Sequence, residues 1–247
     1  PLNKILDAIN KDTDEERKKS ELEGIRKFLK IVATEQPDVI LGYNSENFDW
    51  NFIIKRLEIL GTSLEEETKN LFPQPIYKKQ KETVLKLGGE VEYFNQTILW
   101  GTTILDALHA VRRAQAIDSN MKSANLKKVT KYAKLNKRNR VYIPGDKITE
   151  MWNMNDENQF AFNDENGKWY KIDDTHPLKN DFVYKSGHYL VERYNLDDIW
   201  ETDKVDLRFN ESNFLLCKLI PTSFQRACTM GTAGIWKLIM SAWSYTN

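Results

Sequence analysis

The run Asp38-Val-Ile-Leu-Gly-Tyr-Asn-Ser-Glu-Asn-Phe-Asp49 constrains the fold more than any other stretch of this chain. An apolar strand, Val39 to Leu41, runs straight into Gly42-Tyr43-Asn44, and Phe48-Asp49 then opens a helix. That helix carries Phe52, Ile53, Leu57 and Leu60 before stopping at Gly61. A carboxylate just past a buried strand, at a helix start, is well placed to hold a metal ion. On the N-terminal side, residues 13–35 read as an amphipathic helix with Leu22, Ile25, Phe28, Leu29 and Val32 on one face. Asp12, Thr13 and Asp14 supply its N-cap, Glu15 and Glu16 suit its positive end, and Pro37 ends it.

Further along, Thr62 to Lys81 is polar, holds Pro73 and Pro75, and reads as an excursion rather than core. Val84 to Phe94, with Gly88-Gly89 at its centre, reads as a hairpin, and a strand includes Ile98 to Trp100. Helices follow around Leu105 to Ala114 and Ala124 to Leu135. Val141 to Thr175 looks like an insertion, with a hairpin turning at Asp164-Glu165-Asn166-Gly167 between Phe160-Phe162 and Trp169-Ile172. A long helix spans roughly Val183 to Asp206, and two helical pieces separated by Pro221 and capped by Thr222 or Ser223 fill the rest.

The composition excludes several classes. A hydrophobic share of 40% with seven Trp, ten Tyr and eleven Phe argues against disorder. Cys217 and Cys228 give neither a disulfide framework nor metal-ligand spacing, so a reducing, cytoplasmic setting is the default. No apolar run reaches membrane-spanning length, and no secretory pattern opens the chain. The charge is balanced at 36 basic and 36 acidic residues, yet unevenly distributed. Between Ala107 and Arg140, Arg112, Arg113, Lys122, Lys127, Lys128, Lys131, Lys134, Lys137, Arg138 and Arg140 face only Asp118. Such a segment suits a phosphate backbone, the plain alternative being a solvated helical surface.

The second constellation is Tyr194-Asn-Leu-Asp-Asp198. On a helix Tyr194 and Asp198 lie one turn apart on the same face. The phenol can orient an attacking water while the carboxylate holds a cation, with Asp197 turned aside as the poorer ligand. Taken alone, a surface Asp beside a core Tyr is the commoner meaning of such a pair. His109, His176 and His188 lack ligand-like spacing, and Asp106, at a strand-to-helix junction, reads as a cap or structural acid. Asp12-Thr13-Asp14 matches a polymerase metal motif only superficially, because it precedes a charged helix.

Together the two constellations resemble the 3′–5′ proofreading exonuclease domain of family B DNA polymerases. Its second motif is similar to Tyr43-Asn-Ser-Glu-Asn-Phe-Asp49 and its third to Tyr194-Asn-Leu-Asp-Asp198. Ile104-Leu-Asp106 and Lys122-Ser-Ala-Asn-Leu-Lys-Lys-Val129 also look like the family pattern, and Pro221 to Trp243 resembles the entry to the polymerase palm. The resemblance implies an α/β, RNase H-like (DnaQ-like) fold, a mixed sheet flanked by helices, with a β-hairpin insertion and a helical C-terminal extension. It assigns residues 1–206 to the exonuclease domain, 145–180 to an insertion, and 207–247 to the truncated start of the palm. It further implies two-metal hydrolysis of the primer-terminal phosphodiester. Asp49 and Asp198 are then the metal carboxylates, for Mg²⁺ or Mn²⁺, and Tyr194 positions the water. Asn44, Phe48 and Lys122 meet the single-stranded DNA at the primer 3′ terminus, with the remainder of the polymerase chain as the other partner.

The family's first motif, an Asp-x-Glu on an opening strand, falls before Pro1. The expectation is therefore a fragment, a split-gene product, or a domain completed by another polypeptide, with negligible exonuclease turnover by itself. The insertion and lean architecture point towards a phage source, with the host cytoplasm as its setting. The competing reading is a non-catalytic RNase H-like module that binds single-stranded DNA or scaffolds a polymerase, for which the basic segment and aromatics suffice. A metabolic α/β enzyme has neither a Gly-rich phosphate loop nor a nucleophile elbow to support it.

Overall fold

Helix α1 (Glu15–Glu35) buries Leu29 and Val32, with Leu22 and Ile25 packed beside them, on the face that the periodicity predicts. The computed structural model describes residues 15–79, 85–87, 90–92, 95–172, 178 and 180–246. The expected cap at Asp12 to Asp14, the Gly88-Gly89 turn and His176 lie outside the described residues. The chain divides into two units, one formed by residues 1–120 and 208–247, the other by 121–207.

In the first unit, Gln36 at φ 45° ends α1, and β1 (Val39–Gly42) follows. Helix α2 (Asp49–Ile59) buries Trp50, Arg56 and Leu57, and Gly61 at φ 80° closes it. The polar stretch expected to be an excursion instead supplies core. Helix α3 (Leu64–Thr68), capped by Ser63, buries Leu64 and Thr68, and Ile76 is fully buried just before β2 (Tyr77–Lys79). Thr68 Oγ1 accepts from the Ile76 amide at 2.9 Å, so a threonine anchors the return of a proline-rich loop.

Strands β3 (Leu85–Leu87) and β4 (Glu90–Glu92) pair antiparallel, as the expected hairpin requires. Strand β5 (Gln96–Ile98) pairs antiparallel with β2. Strand β6 (Thr103–Asp106) lies parallel to β1, with Gly42 opposite Asp106, and runs directly into α4 (Ala107–Ile117). Leu29, Leu57, Leu64, Ile76, Leu99 and Ile104 close one apolar cluster, each buried leucine contributing about 2 kcal/mol.

The second unit begins with α5 (Leu126–Tyr132), capped by Asn125, and α6 (Ile148–Trp152). Strands β7 (Phe160–Asn163) and β8 (Lys168–Lys171) form the expected hairpin, with Gly167 at φ 69°. Strand β9 (Val183–Lys185) pairs with the other edge of β7. The long helix α7 therefore starts later than its expected Val183 and spans Gly187–Phe209. Ser186 Oγ accepts from the Tyr189 amide at 3.1 Å and sets that start. Val141, Ile143, Met151, Phe160, Phe162, Leu190 and Val191 form this unit's core.

The tail returns to the first unit as three helices rather than the two expected: α8 (Glu211–Cys217), α9 (Phe224–Thr229) and α10 (Thr232–Thr246). Ser223 caps α9, and Arg113 of α4 donates to Asn213 Oδ1, the Ala227 carbonyl and the Met230 carbonyl.

Candidate active site

The turn from Gly42 to Asp49 is built around one buried acid. Asp106 ends β6 and caps α4, accepting from the Leu108 amide at 3.0 Å. The same carboxylate accepts from the Asn44 amide at 2.7 Å and the Glu46 amide at 3.1 Å. Asn44 sits at φ 63°, a left-handed conformation that asparagine tolerates better than most residues. Gly42 is required where it stands, because a Cβ there would lie 2.4 Å from Ser45 Cβ.

Glu46 is buried and pinned in its turn. Its carboxylate accepts from the Thr97 amide at 3.0 Å and Oγ1 at 2.7 Å, and from Lys78 Nζ at 2.8 Å. Burial pushes the Asp106 pKa up to about 6, against the pull of its three amide donors. His109, whose Nε2 lies 3.7 Å from Asp106 Oδ2, is pushed down to about 4 by burial and by Arg113. Asp106 is thus the structural acid expected of it, and more: it holds a loop as well as a helix end.

Asp49 stands at the first position of α2, exposed, with its pKa raised by partial desolvation. Phe48 is 41% exposed, and its ring stacks on Phe52 with the planes 8° apart and centroids 6.3 Å apart. These residues and Asn44 belong to the first unit, whereas Lys122, Tyr194 and Asp198 belong to the second.

In the second unit Tyr194 and Asp198 share a face of α7, one turn apart. Lys127 of α5 donates to the Tyr194 hydroxyl, with its Nζ 4.3 Å from the ring centroid. Arg140 is buried and forks between Asp198 Oδ1 and Glu201, while its guanidinium lies 5.6 Å from the Tyr194 ring. Asp197 is fully buried, accepting from the Val141 amide at 2.9 Å and Lys137 Nζ at 2.7 Å. Glu201, also fully buried, accepts from the Lys137 amide at 3.2 Å. Desolvation raises the Glu201 pKa, while Arg140 draws it back. Asp198 alone of these three acids is part-exposed, with Oδ1 taken by Arg140.

These contacts change the meaning of the basic segment. Arg113, Lys127, Lys137 and Arg140 are taken up by internal acceptors. Lys122, Lys128, Lys131, Lys134 and Arg138 remain exposed. Counting charges could not separate the two groups. The three acids at 197, 198 and 201 on one helical turn were the available signal, since buried carboxylates demand a cation.

A sequence model of the family B DNA polymerase exonuclease domain matches residues 8–143, more than half of the chain. The chain belongs to this family of exonuclease domains. The chain is 31% identical over 96 residues to a DNA polymerase of Thermococcus aggregans, covering 36% of this chain and 5% of that protein. It is 30% identical over 95 residues to DNA polymerase 1 of Pyrococcus abyssi, covering 36% of this chain and 12% of that protein. The family B DNA polymerase from the hyperthermophilic archaeon Pyrobaculum calidifontis superposes with a TM-score of 0.56 at 21% identity. That match covers 90% of this chain and 23% of the polymerase, and it is a likeness of fold. The chain thus spans less than a quarter of each of these proteins.

Exonuclease domains of this family work with divalent metals. Asp49 and Asp198 are hard oxygen donors open to solvent, whereas Glu46, Asp106, Asp197 and Glu201 are engaged by protein donors. The donor type fits a divalent cation, and Asp198 keeps Oδ2 for one. Among the described residues no three His, Cys, Asp or Glu side chains gather into a complete metal cage.

Proposed function

We propose that this chain is the proofreading part of a family B DNA-directed DNA polymerase, hydrolysing the primer-terminal phosphodiester in the 3′–5′ direction. The observation that carries the reading is the Tyr194–Asp198 pair, one helical turn apart and gripped from the side by Lys127 and Arg140. Residues 1–206 constitute the exonuclease domain with an insertion at 145–180, and 207–247 the start of the palm. The remainder of the polymerase chain and the single-stranded primer terminus are its partners, in a cytoplasmic setting.

Asp49 and Asp198 would hold Mg²⁺ or Mn²⁺, which when bound neutralises charge on the scissile phosphate and lowers the pKa of a water. The remaining work falls to side chains. Lys127 has no acceptor, so its bond to the phenol oxygen leaves the Tyr194 hydroxyl proton free to donate to a water or phosphate oxygen. Arg140 fixes the Asp198 rotamer, so the carboxylate loses little freedom on taking up a cation. Phe48, on its Phe52 support, offers a flat apolar surface on which a terminal base can stack. Asn44 offers its side-chain carboxamide at the strand end, its backbone amide being held by Asp106, and exposed Lys122 can meet a backbone phosphate.

Mn²⁺ binding followed by electron paramagnetic resonance tests this, with a fluorescent single-stranded oligonucleotide as the second ligand. Asp49→Asn and Asp198→Asn are each expected to weaken Mn²⁺ binding about tenfold or more. Tyr194→Phe should leave metal affinity unchanged. Mn²⁺ binding indifferent to both carboxylates would remove the catalytic reading. The second reading, a non-catalytic module binding single-stranded DNA, is favoured by the Arg140 grip on Asp198. It predicts oligonucleotide affinity that is independent of metal and of both aspartates.

A further inference from the structure

We infer that Asp106 and Glu46 are positioning residues, a buried pair of acids that sets the turn presenting Asn44, Phe48 and Asp49. This rests on the reading of Asp49 as a metal ligand. An N-cap needs only one acceptor for one amide, and the Leu108 amide already meets that need. The two further bonds to Asp106 come from Asn44 and Glu46, sixty or more residues earlier in the chain. They reach across the parallel register in which Gly42 faces Asp106. Glu46 then extends the hold in the opposite direction, to Thr97 of β5 and Lys78 of β2. Lys78 closes the loop by donating to the Glu46 carbonyl at 3.0 Å as well as to its carboxylate.

Two neighbouring buried acids are a costly arrangement, and each is tolerable only because donors converge on it. Those donors are the backbone of the turn itself and the two strands beneath it. A left-handed residue such as Asn44 also needs its conformation enforced, and the Asp106 bond to its amide does so. With its ends tied, the turn has one route to the α2 start: the Phe48 amide donates to the Asn44 carbonyl at 2.9 Å and the Trp50 amide to Ser45 at 3.0 Å. Asp49 lies between these two bonded amides. The position of its carboxylate is therefore set by Asp106 and Glu46, which need touch neither metal nor DNA.

Amide hydrogen exchange on the full chain reads this directly. Asp106→Asn keeps the shape but puts an NH₂ where an acceptor stood. Exchange should rise tenfold or more at residues 44–50, with little change at Val111 of α4 and at Leu29 of α1. Glu46→Gln should do the same. Mn²⁺ affinity should fall by a similar factor in both variants. A destabilised control, Leu29→Ala, should lower the melting temperature and leave Mn²⁺ affinity intact. Exchange that rises uniformly across the first unit, or not at all, overturns the inference. So does unchanged Mn²⁺ affinity with a loosened turn. If instead the wild-type chain binds Mn²⁺ with no dependence on Asp49, while exchange stays confined to 44–50, the exonuclease reading fails and the positioning of the turn stands.

Discussion

Among single residues, Asp106 and His109 make opposite demands on pH. Asp106 is raised from an ordinary 3.8 to about 6, so the stability it gives is complete below 3.8 and is lost as pH rises through 6. His109 is lowered from 6.5 to about 4, so its share is complete above 6.5 and is lost as pH falls through 4. Glu46 and Lys78 face Asp106, and Arg113 faces His109, so the pair titrates in charged company. Between about pH 4 and 6 the two slopes cancel, and urea midpoints of the wild type should be nearly level. Asp106→Asn should uncover the histidine, losing up to about 3 kcal/mol as pH falls from 6.5 to 4. His109→Gln should show the reverse slope. Arg140 belongs to this scale too. Arg140→Ala strands Glu201 in the interior beside Asp198, and should cost roughly 3–5 kcal/mol in urea unfolding at neutral pH. Only part of this was legible in the sequence. Asp106 read as a cap or structural acid and three acids crowded one turn of the long helix, but Arg140 looked like one more cation in a basic run, because nothing local reports which distant groups a side chain will meet.

For whole elements, legibility tracked pattern and failed where pattern was diluted. The β1–α2 boundary was readable because three apolar residues meet a glycine and an asparagine, and α1 because its stripe keeps its period. The hairpin of β7 and β8 was readable from its Asn-Gly turn. The stretch around α3 was not, since Leu64 and Ile76 are core residues isolated among charges and prolines. Nor was β9, whose three residues merge with the helix behind them until Ser186 is recognised as a cap. Phe162→Ala should test how far the second unit depends on its small sheet, with an expected loss of about 3–5 kcal/mol measured by chemical denaturation. Gln225 of α9 donates to the Thr97 carbonyl at 2.8 Å, and Thr97 in turn holds Glu46. A double-mutant cycle of Gln225→Ala with Glu46→Gln should therefore return a coupling of about 0.5 kcal/mol or more in stability. Additive losses would show that α9 does not act through Thr97.

Taken as a molecule, the chain leaves its first unit at Asn120 and comes back to it at Arg208, so the closing helices complete a structure begun much earlier. Ile220, Ala227 and Cys228 are buried, and the guanidinium of Arg113 finds its acceptors in the tail. Truncation after Leu207 should lower the melting temperature and cost several kcal/mol, since a part-buried cation would lose three acceptors at once. Retention of the wild-type melt would show that the tail merely rests there. The passage between units at Asn120 went unread in the sequence, because no linker composition marks it. One detail of the second unit reaches furthest. A Cβ on Gly167 would sit 2.4 Å from the Arg140 carbonyl and 2.6 Å from that of Asn139. The tip of the β7–β8 hairpin is thus wedged beneath the backbone that delivers Arg140 to Asp198. What reads as an ornament is a keystone: shortening this loop would take away the floor on which that arginine is seated.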